Sequence, residues 1–177
     1  MTSTSPEIRR LTPDDAEALA TLRREAVHAE PFAFAASPTD DRGTSLDFVR
    51  TMLADVDEQA VFGHVAGGAL TGMVGILRAS KVKQRHRADV WGMYVTQHER
   101  RHGVGRALLD AAIQHARTWT GVELIHLTVA VSAHAASRLY TRAGFRTWGR
   151  EPRALRWQGT EVDEDHLLLE LRQSEKR

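Results

Sequence analysis

Apolar positions recur along this chain in two rhythms, and the switches between them predict its elements. Glu7-Ile8-Arg9-Arg10-Leu11 alternates polar and apolar, as a half-buried strand does. Thr12-Pro13-Asp14-Asp15 reads as a turn into a helix, with Thr12 at the N-cap and Pro13 at the first helical position. Ala16, Leu19, Ala20, Leu22 and Ala26 give that helix an apolar stripe, which Pro31 ends. The Ser-, Pro-, Asp- and Gly-containing stretch from Ala35 to Thr44 predicts a loop. Ser45 then caps a second helix, where Phe48, Val49, Met52 and Leu53 recur at helical spacing.

Ala60–Val65 and Leu70–Leu77 read as strands joined by a Gly67-Gly68 hairpin turn. The basic run Lys81–Arg87 lies between two strands and reads as an exposed hairpin loop, since short charge runs are usually solvated. Ala88–Val95 is a strand. Val104, Ala107, Leu108, Ala111 and Ala112 mark an amphipathic helix running to about Trp119, stopped by Gly121. Glu123–Val131 is a strand, and Ser132 opens a further helix with Ala136, Leu139 and Tyr140 on one face and Gly144 at its C-cap. Arg146–Arg150 and Asp165–Leu171 form final strands around the Gln158-Gly159-Thr160 turn. With no internal repeat or linker, residues 1–177 read as one mixed α/β domain with its core at about 7–172.

Composition narrows the function classes. A chain of 177 residues with 42% hydrophobic and 27% charged residues can bury a sizeable core. Its 24 Lys and Arg against 23 Asp and Glu leave a net charge of +1, which argues against a nucleic-acid binder. It has no cysteine, hence no disulfide framework, thiolate metal site or cysteine nucleophile. No apolar run approaches the ~20 residues that span a bilayer. The polar, Ser/Thr-rich stretch Met1–Glu7 lacks the apolar core of a signal peptide, so the expected compartment is cytoplasmic.

The most informative segment runs from Met93 to Ala107. A strand ends, a basic glycine-containing loop follows, and a helix begins at once. A helix start carries unpaired N–H groups and about half a positive charge. Gly103 and Gly105 let an anion approach the backbone, and Arg100, Arg101 and Arg106 add charge, so a pyrophosphate fits. No Walker A Gly-Lys-Ser/Thr follows, and Leu108 stands where a Rossmann motif needs its third glycine. His98-Glu99-Arg100-Arg101-His102 also spells a His-Glu-x-x-His zinc motif. That reading needs both histidines one turn apart in a stable helix, whereas here they follow directly on a strand. No metal is expected.

Arg100-x-x-Gly103-x-Gly105, followed by Arg106-Ala107, resembles the pyrophosphate signature of the GNAT superfamily of acetyl-CoA-dependent N-acetyltransferases. Met93-Tyr94-Val95 resembles its cofactor strand, and Leu139-Tyr140-Thr141-Arg142-Ala143-Gly144-Phe145 its second signature. The element order matches over nearly the whole chain. The resemblance implies a three-layer α/β fold with a mostly antiparallel sheet of about six to seven strands and about four helices. It implies acetyl-CoA as co-substrate, held by Met93, Tyr94, Val95 and the run Arg100, Arg101, His102, Gly103, Val104, Gly105, Arg106 and Ala107. Many members carry an Asn six residues before the Leu of Leu-Tyr; here that residue is Ala133, with Ser132 beside it as a partial substitute on the pantetheine arm.

The resemblance also assigns chemistry: acetyl passes to a primary amine of a small molecule or peptide. Lack of cysteine excludes an acetyl-cysteine intermediate and favours a direct ternary complex. Tyr140 takes the role of general acid on the departing sulfur, since a phenol keeps its proton at neutral pH. The oxyanion donor is a backbone N–H of Met93-Tyr94-Val95. An amine of pKa ~10 is only about one-thousandth neutral at pH 7, so a base helps. Glu151 and His126 rank first for it, with Asp89 behind. Phe32, Phe34, Trp91 and Trp148 are candidates for the acceptor wall, and Glu30, Asp163, Glu164 and Asp165 for attracting a cationic amine. A non-catalytic CoA-binding regulatory module and a ribosomal-type protein N-terminal acetyltransferase are the alternative readings, and a homodimer is compatible with the family.

Overall fold

The computed structural model describes residues 6–171. The Ser/Thr-rich start of the chain, and the expected end of the core near 172, lie outside those residues. The sheet is built from β1 (Glu7–Arg10), β2 (Gln59–Ala66), β3 (Ala69–Arg78), β4 (Arg87–Val95), β5 (Leu124–Ala130), β6 (Arg146–Trp157) and β7 (Thr160–Glu170). The helices are α1 (Ala16–Ala29), α2 (Leu46–Ala54), α3 (Val104–Thr118) and α4 (His134–Arg142). The seven strands run in the order β1-β2-β3-β4-β5-β7-β6. Every pair is antiparallel except β4–β5.

Two apolar cores sandwich this sheet. Helices α1 and α2 set Leu19, Leu22, Val27, Val49 and Leu53 against Val61, Met73 and Tyr94 on one face. On the other, α3 sets Val104, Leu108, Leu109, Ala112 and Ile113, and α4 sets Tyr140, against Val74, Ile76, Ile125 and Leu127. Central β3 is covered on both faces, so residues 71–76 are buried without alternation. Truncating a fully buried side chain such as Leu108 to alanine costs about 2–5 kcal/mol.

Two element expectations need correction, while the entry to the first helix is as expected: Thr12 is the N-cap and Pro13 the first helical residue, of a 3-10 turn over Pro13–Asp15 that runs into α1 at Ala16. Asp15 explains the tight entry: its carboxylate accepts from the Thr12 N–H at 2.8 Å and from Arg9 at 2.6 Å. Ser132 does not open α4; the helix starts at His134 with Ala133 at the N-cap. The last two strands are much longer than expected. Glu151-Pro152-Arg153, beyond the expected end at Arg150, is an interior stretch of β6, at a register shift between Glu151 and Leu155 where Arg153 has φ +52°. Here β6 is an edge strand with both faces largely exposed, so it carries no apolar alternation, and a bulge on an edge tolerates proline.

Candidate functional site

The parallel strands β4 and β5 pair only at Arg87↔Leu124, Ala88↔Ile125 and Asp89↔His126. Beyond these, β4 runs on to Val95 and β5 to Ala130 without meeting, so a wedge opens between them in mid-sheet. A bulge sharpens the divergence. Gly75 opposes Trp91 and Met73 opposes Tyr94, so Gly92 and Met93 together face the single residue Val74. Gly92 takes φ +64°, which glycine adopts at little cost.

The wedge holds a cavity of about 80 Å³ lined by Val90, Met93, Val129, Ala133, Tyr140 and Glu164, among others. Tyr140 reaches it from α4. Its ring is 7% exposed and meets Phe145 edge-on at 6.0 Å. Its hydroxyl donates to the Met93 Sδ across 3.6 Å. Burial pushes the phenol up to about 12, so it is fully protonated at any working pH.

Just past β4, a 3-10 turn (Gln97–Glu99) leads to a left-handed Arg101 (φ +68°) and a left-handed Gly103 (φ +82°) at the N-cap of α3. A non-glycine residue at positive φ is costly and marks a tightly determined loop. Among the described residues no side chain caps α3, and the Ala107 N–H returns to the Gly103 carbonyl at 3.0 Å. The amides of Gly103, Val104 and Gly105 thus stand at the positive end of the helix. An ideal Cβ on Gly103 would meet nothing within 4 Å, whereas one on Gly105 would touch Met93 and Leu139 at 3.5 Å. The missing side chain at Gly105 therefore leaves space between α3, α4 and β4, bordered by Met93, which also lines the wedge. A diphosphate with a slender arm fits such a cradle.

The flanking cations divide into two groups. Arg100 turns back, donating from Nε to the Val95 carbonyl at 2.9 Å and pairing with Glu30 at 2.9 Å. Arg106 is bound to Asp110 at 2.9 Å and to the Arg142 carbonyl at 3.2 Å. Arg101 and His102 are exposed and have no side-chain partner among the described residues. His98 lies in the 3-10 turn and His102 in the loop before α3, so the two histidines do not share a helix. Ser132 is exposed, and Ala133 and Ala136 line the wedge beside it.

The two leading base candidates do not line the wedge. His126 Nε2 is buried without a partner, its ring 6.5 Å from that of Trp148. Burial, helped by Arg87, holds its pKa below the ordinary histidine value. Glu151 is exposed and bonded to His166 at 3.2 Å. Glu164 is the carboxylate that reaches the cavity, placed there by the Ala130↔Glu164 register of β5 and β7. Burial first, then the nearby Glu151, raises its pKa, while a hydrogen bond from Thr128 opposes the rise. Of the other residues considered, Glu30 is held by Arg100, Asp163 accepts from the Arg153 N–H at 2.8 Å, and Asp165 pairs with Arg150 at 2.7 Å. Phe34 is buried, and Trp148 is 58% exposed on β6.

Trp91 and Gly92 form a wall shared with a second, larger cavity of about 620 Å³ between α1, α2 and strands β2–β4. The Trp91 indole lies so close over Gly75 that a Cβ there would come within 2.1 Å of it. Of its lining only Trp91 was a candidate in the sequence, because the cavity is assembled from α1, α2, the loop at 36–43 and three strands that meet only in the fold.

The acetyltransferase (GNAT) family model matches residues 19–145 of the chain. No curated protein matches significantly. A GNAT-family acetyltransferase of Streptococcus pneumoniae aligns with a TM-score of 0.82 at 23% identity, covering 94% of this chain and 100% of its own. The yncA protein of Salmonella typhimurium, whose structure holds its cofactor acetyl-CoA, aligns with a TM-score of 0.82 at 22% identity, covering 96% of each chain. A ribosomal-protein-alanine N-acetyltransferase of Brucella melitensis gives 0.80 at 22%, covering 93% and 99%. At these identities the likeness is one of fold.

Proposed function

The chain belongs to the acetyltransferase (GNAT) family, and on that premise we propose that it transfers acetyl from acetyl-CoA directly to a primary amine, with Tyr140 as the acid and Glu164 as the base. The observation that carries this reading is the Tyr140 hydroxyl. It is buried at the wedge and bonds to a thioether, a weak acceptor that it can exchange for another sulfur.

When bound, acetyl-CoA supplies a thioester carbonyl and a sulfur leaving group. The amides of Gly103, Val104 and Gly105 hold its diphosphate at the mouth of α3, with Arg101 and His102 free to close over it. The missing side chain at Gly105 gives the arm room to pass toward Met93. Past Asp89, the edge of β4 that faces β5 has no ladder partner, so a backbone N–H near the Gly92–Met93 bulge is available to the carbonyl oxygen. Glu164 takes a proton from the incoming ammonium, and its raised pKa makes it a stronger base than an ordinary carboxylate. Tyr140 shares its proton with the departing sulfur. With a phenol at about 12 against a thiol near 8.5, complete transfer is uphill, so Tyr140 acts mainly as a strong hydrogen-bond donor to the thiolate that develops, and the thiolate takes up the second amine proton as the C–N bond forms and the C–S bond breaks.

A thiol-release assay over a broad amine panel, with mass spectrometry of the product, tests the reading. Sustained release with an amine and a product heavier by one acetyl group support it. Coenzyme binding with no release from any amine contradicts it and leaves a CoA-binding module.

A further inference from the structure

The larger cavity contains a charged group that the proposed mechanism does not use. Arg23 projects from α1 with its side chain only 13% exposed. Its Nε is held by Asp41 at 2.5 Å, and Asp41 is fixed in turn by the Gly43 N–H at 2.8 Å. The guanidinium stacks over Phe34, 4.2 Å from the ring centre. These contacts lock the plane of the fork. Yet Nη1 is buried and has no partner among the described residues, and it lies 3.5 Å from where a Cβ on Gly92 would be. A buried donor without an acceptor is rare in native proteins and calls for one. Here Gly92 belongs to the wall that separates the large cavity from the wedge.

Three facts therefore coincide at Gly92. The acyl-transfer wedge lies on one side, an oriented donor stands beside it, and a chamber of about 620 Å³ floored by Leu19, Val49, Met52, Met73 and Trp91 opens on the other side. A small amine would leave such a chamber mostly empty, whereas a large apolar side chain would fill it. The Arg23–Asp41 pair is neutral as a unit, so Nη1 can serve a neutral carbonyl as well as a carboxylate.

Resting on the acetyltransferase reading, we infer that Arg23 Nη1 binds the oxygen on the carbon next to the acceptor's amine-bearing carbon, and that the large cavity takes that acceptor's apolar side chain. The acceptors are then α-amino acyl compounds with bulky apolar side chains, either free amino acids or the first residue of a peptide. The α-amine is directed past Gly92 to Glu164, the carbonyl oxygen is held at Arg23, and the side chain enters the cavity.

The test compares L-phenylalanine, L-phenylalanine amide and phenethylamine, which differ only at the carbonyl. The intact protein is expected to favour the better of the first two over phenethylamine by about 10-fold or more in kcat/KM, the two arms separating a free amino acid from a peptide-like acceptor. Arg23→Lys and Arg23→Gln are each expected to cut that preference about 10-fold, mainly through KM. Calorimetry without coenzyme gives a second readout: N-acetyl-L-phenylalanine amide binds more tightly than N-acetylphenethylamine, and Arg23→Lys removes the difference. Equal use of all three amines, or an undiminished preference in both variants, overturns this inference alone. Failure of every amine to release thiol overturns the acetyltransferase reading and this inference with it.

Discussion

The hydroxyl of Tyr140 and the sulfur of Met93 face each other at 3.6 Å across the wedge, joining α4 to the bulged strand β4. The contact couples two sequence signatures that lie far apart in the chain, and it sets a buried proton donor against a sulfur. Removing the hydroxyl alone should leave packing intact. Tyr140→Phe is expected to lower kcat by ~10²-fold with little change in acetyl-CoA affinity. Rapid-mixing thiol release and calorimetry check the two parts.

Gly105 separates function from stability. A methyl group there would make ordinary contacts at 3.5 Å with Leu139 and Met93, and alanine is favoured over glycine in a helix by up to about 1 kcal/mol. Gly105→Ala is therefore expected to melt at or slightly above the parent temperature while binding acetyl-CoA at least ~10-fold more weakly. Thermal melts and calorimetry read these effects independently.

Glu164 predicts linked changes with pH. Its folded pKa is raised above 4.5, so between the unfolded and folded values the native state binds more protons. Stability contributed by this group thus falls as pH rises through that window. Glu164→Gln should be more stable than the parent at neutral pH, with the gain vanishing at pH below about 4.5. In kinetics, kcat/KM should rise with pH through the raised pKa, and the variant should lose that limb along with ~10²-fold of activity. Melting and rate profiles over pH check both signs.

Asp15 acts in the opposite direction. The Arg9 side chain, aided by the Thr12 N–H, holds its pKa down at about 2. Its contribution is complete above its ordinary value near 4 and is lost as pH falls toward 2. Arg9 is 38% exposed and screened, so Asp15→Asn is expected to cost about 1–2 kcal/mol at neutral pH and only a small fraction of that near pH 2. Urea titrations at the two pH values measure the difference.

Local patterns were legible in the sequence; long-range registers were not. The strand, loop and helix around Gly103, and the Leu139–Phe145 signature, depend on neighbours a few residues apart, and they fold as read. Tyr140 reaches the wedge for the same reason. Glu164 was legible only as one acid in the cluster from Asp163 to Asp165, because its place is decided by pairing with Ala130 across two strands. His126 looked like a base because an imidazole can titrate near neutrality, yet its ring lies by Trp148 and it does not line the wedge. Arg23 carried no signal in the sequence; the loop that brings Asp41 and Phe34 back over it is what buries it. The β6 strand was shortened because an exposed edge carries no apolar period, and Pro152 reads as a break.

The most direct test of the whole account is a crystal structure with coenzyme A. The account predicts the diphosphate on the amides of Gly103–Gly105 and the sulfur within hydrogen-bonding reach of the Tyr140 hydroxyl. Coenzyme bound elsewhere, or a sulfur remote from Tyr140, would contradict it.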